Sequence, residues 1–348
     1  MTQFTENKET ANPFREEYHT GLIRLLEQRR KEADTMRSSV MEQIAYQPEQ
    51  MRQELINMLG WPLTLPRDTT PPQIKQRLIA REEHCSIYRM QIEILPGLWG
   101  CGLLFLQQTK HPAPFVISQH GGAGTPELCS GLYGSTSNYN NMTRRILQKK
   151  PEGNVFAPQL LLWSKETIPV PYDPTQLDSD LKQVGSSITA VELYFLRRCL
   201  DYFCTQPYVN PDKLGMVGLS YGGFYTLFAA ACDKRIRSAV SCSFFSDRFA
   251  YSWPDWVWSG SGLRLTDPEI AALVCPRGLH IAVGSHDDLF DVRYAQEKIK
   301  PVREFFQKAG FPHKLRFTVF EGTHEFCPDD SPLDDLFSDL EQESLADL

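Results

Sequence analysis

One serine in the sequence has the surroundings of an activated nucleophile. Ser220 lies in the segment Gly218-Leu219-Ser220-Tyr221-Gly222, which fits the pattern G-x-S-x-G. The apolar run 214–217 predicts a strand directly before it, and the run 223–231 predicts a helix directly after it. A strand-to-helix turn this sharp exposes the hydroxyl and needs glycine on both sides, where a Cβ would collide with backbone. We therefore predict Ser220 as the nucleophile of an acyl transfer.

A serine hydroxyl is a weak nucleophile until a base takes its proton. With this type of nucleophile turn, the base is expected after the last strand of the sheet. His324 directly follows the strand-like run 315–320, and none of the other seven histidines is placed in this way. We predict His324 as the general base.

The acid that orients the histidine is expected after the penultimate strand. The run 279–284 has strand character, and Asp287, Asp288 and Asp291 follow it. Asp287, three residues past the end of the strand, is the prediction, and Asp288 is the alternative. Asp291 is predicted to cap the next helix. The chain order serine, acid, histidine is the order used with this nucleophile turn.

A tetrahedral intermediate also needs two N–H donors for its oxyanion. The residue after the nucleophile, Tyr221, is predicted to supply one at the helix N-terminus. The second is expected from the glycine-rich loop 119–124, in which Gly121 is the first choice and Gly122 the second. His120 in the same loop is interpreted as a brace rather than as an acid or base.

The elements that position these residues alternate between strand and helix. Residues 14–60 read as helical, and from about residue 76 apolar strands alternate with helices up to residue 322. This alternation predicts an α/β fold with a mostly parallel central sheet and helices on both faces. The predicted organisation is a helical N-terminal extension (1–75), a catalytic domain (76–330) and an acidic C-terminal helix or tail (331–348).

Three segments resemble known enzymes. The stretch 208–245 resembles the nucleophile region of acetyl xylan esterase-like, dienelactone hydrolase-like and prolyl oligopeptidase-like members of the α/β-hydrolase superfamily. The stretches ALVCPRGLHIAVGSHDDLFD and FEGTHEF resemble the acid and histidine segments of the same group, and together with QHGGAG the resemblance spans residues 85–328. It implies the α/β-hydrolase fold, with Ser220, Asp287 and His324 as the triad.

The sequence also departs from parts of that group. Dienelactone hydrolases carry a cysteine where this chain has Ser220, so their activity is not implied. Prolyl oligopeptidases carry a propeller before the hydrolase domain, and the roughly 75 residues available here are too few to form one. The acetyl xylan esterase-like branch, whose members have a helical N-terminal extension, is the best match.

The composition excludes several other classes. The net charge is −7 and no long Lys/Arg run is present, which argues against nucleic-acid binding. The chain has no long apolar run and its N-terminus is polar, so we expect no membrane span, no signal peptide and a cytoplasmic location. The nine cysteines show no CxxC spacing, so we expect free thiols, no metal and no cofactor.

Two segments bear on the substrate. Trp253, Trp256 and Trp258 lie in the stretch after the sixth strand, where an insertion would overhang the site, and their rings could stack on a sugar. Packing of the insertion's own core is the alternative. The asparagines of SNYNNM (137–142) could hydrogen-bond a polar substrate, although an asparagine-rich loop is usually an ordinary turn.

The function predicted from the sequence is a serine carboxylesterase for small polar or carbohydrate esters. A peptidase or amidase, and a non-catalytic binding protein with this fold, are the alternatives. Capping of the active site and contact between subunits are alternatives for the N-terminal helices, so a homo-oligomer stays open.

Overall fold

A central sheet of nine strands organises the part of the chain that the structure describes. In the computed structural model this part comprises residues 2–68, 70–109, 111–163, 169, 171–251 and 253–342. The strand order across the sheet is β1-β2-β3-β5-β4-β6-β7-β8-β9. The strands are β1 (Ile74–Arg81), β2 (Cys85–Leu95), β3 (Leu98–Gln107), β4 (Ala113–Gln119), β5 (Asn154–Gln159), β6 (Val209–Leu219), β7 (Ile236–Cys242), β8 (Gly278–Gly284) and β9 (Leu315–Phe320).

The sheet is mostly parallel. Strands β4 to β9 pair in parallel with their neighbours, and β1, β2 and β3 add an antiparallel edge beside β5. All residues of β4, β7 and β8 except Arg237 are buried, which explains why these strands are continuous apolar runs in the sequence. The predicted α/β-hydrolase fold is confirmed.

Helices cover both faces of the sheet. They are α1 (Asn12–Tyr46), α2 (Pro48–Leu59), α3 (Pro126–Cys129), α4 (Met142–Lys149), α5 (Pro174–Gln183), α6 (Ile188–Phe203), α7 (Tyr221–Cys232), α8 (Asp267–Ala272), α9 (Val292–Lys308) and α10 (Ser331–Glu341). Apolar residues of α2, α6, α7, α8 and α9 form one core with one face of the sheet. Residues of α3, α4 and α10 form a second core with the opposite face.

The two ends of the chain differ in how they join the body. The C-terminal helix α10 docks on the sheet through four large apolar side chains that are buried, whereas residues 343–348 of the predicted C-terminal segment lie outside the described residues. The four are Leu333, Leu336, Phe337 and Leu340. At the other end, only Ala33 and Ile44 of α1 are buried. None of the helices in the described residues is both long enough and apolar enough to cross a bilayer.

Candidate active site

The predicted nucleophile lies at a sharp turn between two elements. β6 ends at Leu219 and α7 begins at Tyr221, so Ser220 alone makes the turn, with φ 60° and ψ −120°. A serine at positive φ is strained and is tolerated where the surroundings impose it. Cβ atoms built at Gly218 and Gly222 would lie 2.1 Å and 2.2 Å from neighbouring carbonyl oxygens, so both positions require glycine.

The structure brings the predicted histidine to one of the two candidate acids. Nδ1 of His324 lies 2.9 Å from Oδ2 of Asp287. The other oxygen of Asp287 accepts hydrogen bonds of 2.9 and 3.0 Å from the N–H groups of Leu289 and Phe290, which fix the carboxylate in place. Asp288 is exposed and makes no such contact. Between the two alternatives, the geometry favours Asp287.

Cys242, at the end of β7, links the serine turn to the histidine loop. Its carbonyl oxygen accepts the N–H of Ser220 at 2.9 Å. Its thiol lies 3.4 Å from the carbonyl oxygen of Glu325, the residue after His324, and accepts the N–H of Cys327 at 3.3 Å. One residue on the intervening strand therefore anchors the backbone on both sides of the site.

The asparagines of the segment 137–142 brace the histidine loop. Nδ2 of Asn138 donates to the carbonyl oxygen of His324 at 3.0 Å, and the N–H of Phe326 returns a 2.8 Å bond to the Asn138 carbonyl. Nδ2 of Asn140 reaches the Glu325 carboxylate at 2.8 Å. The amide groups of Asn138 and Asn140 therefore hold the loop of His324. The sequence offered only a turn or substrate contact for these residues, because nothing in it shows that two segments about 185 residues apart meet.

The oxyanion donors require one correction. The N–H of Gly121, the first choice from the sequence, donates to the hydroxyl oxygen of Tyr139 at 2.7 Å and is not free for an oxyanion. The N–H groups of Gly122 and Tyr221 make no hydrogen bond to any other described residue. Gly122 lies against the ring of Tyr221, since a Cβ built there would be 2.9 Å from that ring. Of the two glycines, Gly122 is therefore the one whose N–H has no partner among the described residues.

His120 links the glycine-rich loop 119–124 to the segment that follows β5. Its Nε2 accepts the N–H of Leu160 at 3.0 Å, which makes Nδ1 the protonated nitrogen, and Nδ1 donates to the carbonyl oxygen of Gly121 at 2.7 Å. Burial lowers the pKa of His120 to about 4, so the imidazole is neutral at physiological pH. This arrangement agrees with the interpretation of His120 as a brace.

Of the three tryptophans proposed to contact substrate, Trp256 and Trp258 do not line the site. Trp256 is fully buried, with its ring stacked 4.7 Å from that of Phe224, and Trp258 is 8% exposed. Both belong to the main core, because the insertion folds back onto the sheet and buries its largest side chains. Trp253 is only partly buried and packs 5.5 Å from Phe290, whose ring lies 5.8 Å from His324.

Trp163, which no sequence motif marks, lies beside the residue that follows the nucleophile. Its ring stacks 6.0 Å from that of Tyr221, and its backbone N–H donates to the carbonyl oxygen of Gly122 at 2.8 Å. The signal that could have found it is its position at the end of the run 154–163, since the carboxyl ends of parallel strands share one edge of the sheet.

Two buried carboxyl groups, those of Asp255 and Glu192, lie near the Tyr221 side chain. The hydroxyl of Tyr221 donates to Oδ1 of Asp255 at 3.3 Å, and Glu192 accepts the N–H of Leu161. Oδ2 of Asp255 is buried without a hydrogen-bond partner among the described residues, and the hydroxyl of Tyr225 lies beside the carboxyl of Glu192. Burial raises the pKa of Asp255 to about 7 and that of Glu192 to about 8. Both groups therefore hold a proton over part of the physiological pH range.

The described residues offer no evident metal site. They contain no group of three or more His, Cys, Asp or Glu side chains placed to hold an ion, and all nine cysteines are free thiols. A cavity of about 940 Å³ lies between α1, α8 and α9, next to Met41, Leu273 and Phe305. Ser220, Asp287 and His324 do not line it, so it is separate from the candidate site.

The strand order and the turn between β6 and α7 define the α/β-hydrolase class, and comparisons with known proteins agree. The model of the prolyl oligopeptidase family matches residues 196–263, which contain Ser220. Over 128 residues the chain is 28% identical to "Putative hydrolase YtaP" of Bacillus subtilis (strain 168). That match covers 33% of this chain and about two fifths (41%) of the relative's length.

Solved structures extend the likeness over most of the chain. A glucuronoyl esterase from Solibacter usitatus superposes with a TM-score of 0.61 at 13% identity, covering 84% of this chain and 92% of that one. Acetyl xylan esterase 1 from a Thermoanaerobacterium species has a TM-score of 0.53 at 13% identity, covering 85% and 94%. The chain has the α/β-hydrolase fold that these structures share, and the comparisons support a hydrolase.

Proposed function

We propose that this protein is a serine carboxylesterase that works through an acyl-serine intermediate. The observation that carries the proposal is the 2.9 Å contact between His324 and Asp287 on the loop that Cys242 ties to the Ser220 turn. A histidine oriented by a buried carboxylate beside a strained serine is the arrangement that activates a hydroxyl group.

Each step of the reaction has a residue to perform it. His324 takes the proton of the Ser220 hydroxyl through Nε2, and the serine oxygen attacks the ester carbonyl carbon. The N–H groups of Tyr221 and Gly122 stabilise the oxyanion. His324 then gives its proton to the leaving alcohol and the acyl-serine forms. A water molecule, deprotonated by His324, attacks the acyl-serine and releases the acid.

The proposed substrates are small polar esters, including acetylated carbohydrates. Two indole rings near the site support a carbohydrate ester. Trp163 lies beside Tyr221, and Trp253 packs on Phe290, which also lies beside His324. Aromatic faces suit the apolar C–H surface of a sugar ring. The named activities of the similar structures, glucuronoyl esterase and acetyl xylan esterase, point in the same direction.

Removal of the nucleophile tests the reaction. We expect Ser220→Ala to abolish hydrolysis of p-nitrophenyl acetate and labelling by a fluorophosphonate probe, while Ser135→Ala, at an exposed serine, keeps both. Retention of turnover and labelling in Ser220→Ala would contradict the mechanism. An unlabelled, inactive wild type would favour a binding protein with this fold.

A peptidase or amidase is the second candidate. The match of residues 196–263 to the prolyl oligopeptidase family favours it. Amide hydrolysis demands protonation of a poorer leaving group than ester hydrolysis does. Assays on aminoacyl-p-nitroanilides beside acetyl, feruloyl, methyl and longer-chain esters distinguish the two candidates. Turnover of the anilides without turnover of any ester would replace the esterase proposal by the peptidase one.

A further inference from the structure

The first half of α1 stands clear of the body. Every residue from Asn12 to Arg29 is exposed, and we call this segment the arm. Contact with the body begins at Arg30, whose guanidinium lies 4.2 Å from the centre of the Phe249 ring, and continues at the buried Ala33. The arm is about 27 Å long. A helix of this length without a packing partner is only marginally stable in water.

The arm carries an apolar face. At about 100° per residue, five large side chains of the arm fall within one third of the helix circumference, and Ile23 falls outside it. Ala33, Val40 and Ile44, which the body covers, lie on the same face further along α1. The body-facing stripe therefore continues into the arm but is uncovered there. The five residues, with their exposed fractions, are Phe14 (72%), Tyr18 (71%), Leu22 (45%), Leu25 (55%) and Leu26 (44%).

The charges of the arm indicate what kind of partner would cover this face. Three arginines and three glutamates balance within the arm, whereas a helix that binds an anionic membrane is rich in basic residues. Glu17 and Arg24 lie on the same flank of the apolar face. They are seven residues apart along the helix, one on each side of the midpoint of the arm near Gly21. When two copies of the arm pair in antiparallel orientation, this pattern places an acidic residue of each copy opposite a basic residue of the other.

We propose that the arm pairs in antiparallel orientation with the arm of a second copy of this chain. With the two helices crossing near Gly21, Glu17 of each copy faces Arg24 of the other, and Tyr18 faces Leu22. A Cβ at Gly21 would meet no atom of the described residues within 4 Å, so the glycine leaves this point open for close approach of a second helix. The pair joins two single helices of about 27 Å, whereas a standard interface buries about 800 Å² per partner, so we expect it to dissociate on dilution.

Sedimentation velocity of the full-length protein at several concentrations tests the proposal. The wild type is expected to shift from its 39.8 kDa monomer toward twice that mass as the concentration rises. Leu22→Glu is expected to abolish the shift. Ile23→Glu is the matched control, because Ile23 is equally exposed (43% against 45%) but lies outside the apolar face, and it should leave the shift unchanged.

Charge reversal tests the register. Glu17→Arg alone and Arg24→Glu alone should each weaken the dimer, and the double variant should restore it, because the two ion pairs then form with exchanged signs. A wild type that stays monomeric at every concentration, or a dimer that survives Leu22→Glu, overturns the proposal. Unchanged melting temperatures in all variants show that the fold is intact.

Discussion

The N–H of Gly121 donates a 2.7 Å hydrogen bond to the hydroxyl oxygen of Tyr139, and this bond occupies the N–H that the sequence favours for the oxyanion. It ties the glycine-rich loop to the short helical turn that also braces the histidine loop through Asn138. Because the Gly121 N–H is occupied, we propose the next N–H in the chain, that of Gly122, as the oxyanion donor.

Removal of this hydroxyl should therefore lower catalysis. In Tyr139→Phe the buried Gly121 N–H loses its acceptor, which costs about 1–3 kcal/mol, and the loop must shift to find another. We expect kcat on p-nitrophenyl acetate to fall by about tenfold or more with KM little changed, since the loss falls on the transition state. Tyr133→Phe, at a 55% exposed tyrosine in the same loop region, is the control. An unchanged kcat in Tyr139→Phe would mean that the loop does not depend on this bond.

The two candidate acids differ enough in burial for one experiment to separate them. Asp287→Asn leaves the shape of the side chain but removes the charge that orients His324, and we expect kcat to fall by about 10³- to 10⁴-fold. Asp288→Asn is the matched control at an exposed neighbour and should keep kcat within about twofold of the wild type, as expected for a surface change. Equal losses in the two variants would contradict the assignment of Asp287.

The fold could be predicted from the sequence because local patterns carry it. Continuous apolar runs such as 214–217 and 279–284 become buried parallel strands, and the runs between them become helices. The strand order, with β5 between β3 and β4, depends on which strands pair across long stretches of chain. No local pattern records such pairing, so the order had to come from the structure.

For the site, too, local patterns predict some residues, whereas long-range contacts place others. His324 and Asp287 were predicted from their places after consecutive strands, and the structure brings the two together. Tyr139 and Asn138 reach the site through contacts with residues far away in the sequence, and no motif marks them. For Trp256 and Trp258 the sequence leaves sugar contact and core packing open, because an aromatic cluster in an insertion has the same sequence pattern in both cases.

Trp256 and Trp253 differ in burial, so we expect their removal to affect different properties, stability for Trp256 and substrate binding for Trp253. Trp256→Ala leaves a large cavity in the core and should lower the free energy of unfolding by about 3–5 kcal/mol. Trp253→Ala, at a partly buried position, should cost less stability and instead raise KM for acetylated sugars more than for p-nitrophenyl acetate. Urea unfolding and steady-state kinetics on both variants check this. A Trp253→Ala enzyme with an unchanged kcat/KM on acetylated sugars would remove this residue from the proposed substrate contacts.

The buried carboxyl of Glu192 should make stability depend on pH. Burial raises its pKa from the ordinary 4.5 to about 8, so between these values the folded state keeps a proton that the unfolded state has lost. The free energy of unfolding therefore falls as pH rises through this range. Asp255, with its pKa raised to about 7, adds to the fall over the lower part of the range. His120 acts with the opposite sign, but only up to its ordinary pKa of 6.5.

The effect of Glu192 is therefore best isolated between pH 6.5 and 8, where the slope can approach about 1.4 kcal/mol per pH unit for each retained proton. Glu192→Gln has no proton to retain and should flatten the slope, whatever it does to the absolute stability. Glu83→Gln, at a side chain that is 87% exposed, should leave the slope of the wild type in place. Urea unfolding at a series of pH values measures all three proteins. A wild-type curve that is flat over this range, or a Glu192→Gln curve as steep as that of the wild type, would show that Glu192 is ionised in the folded protein.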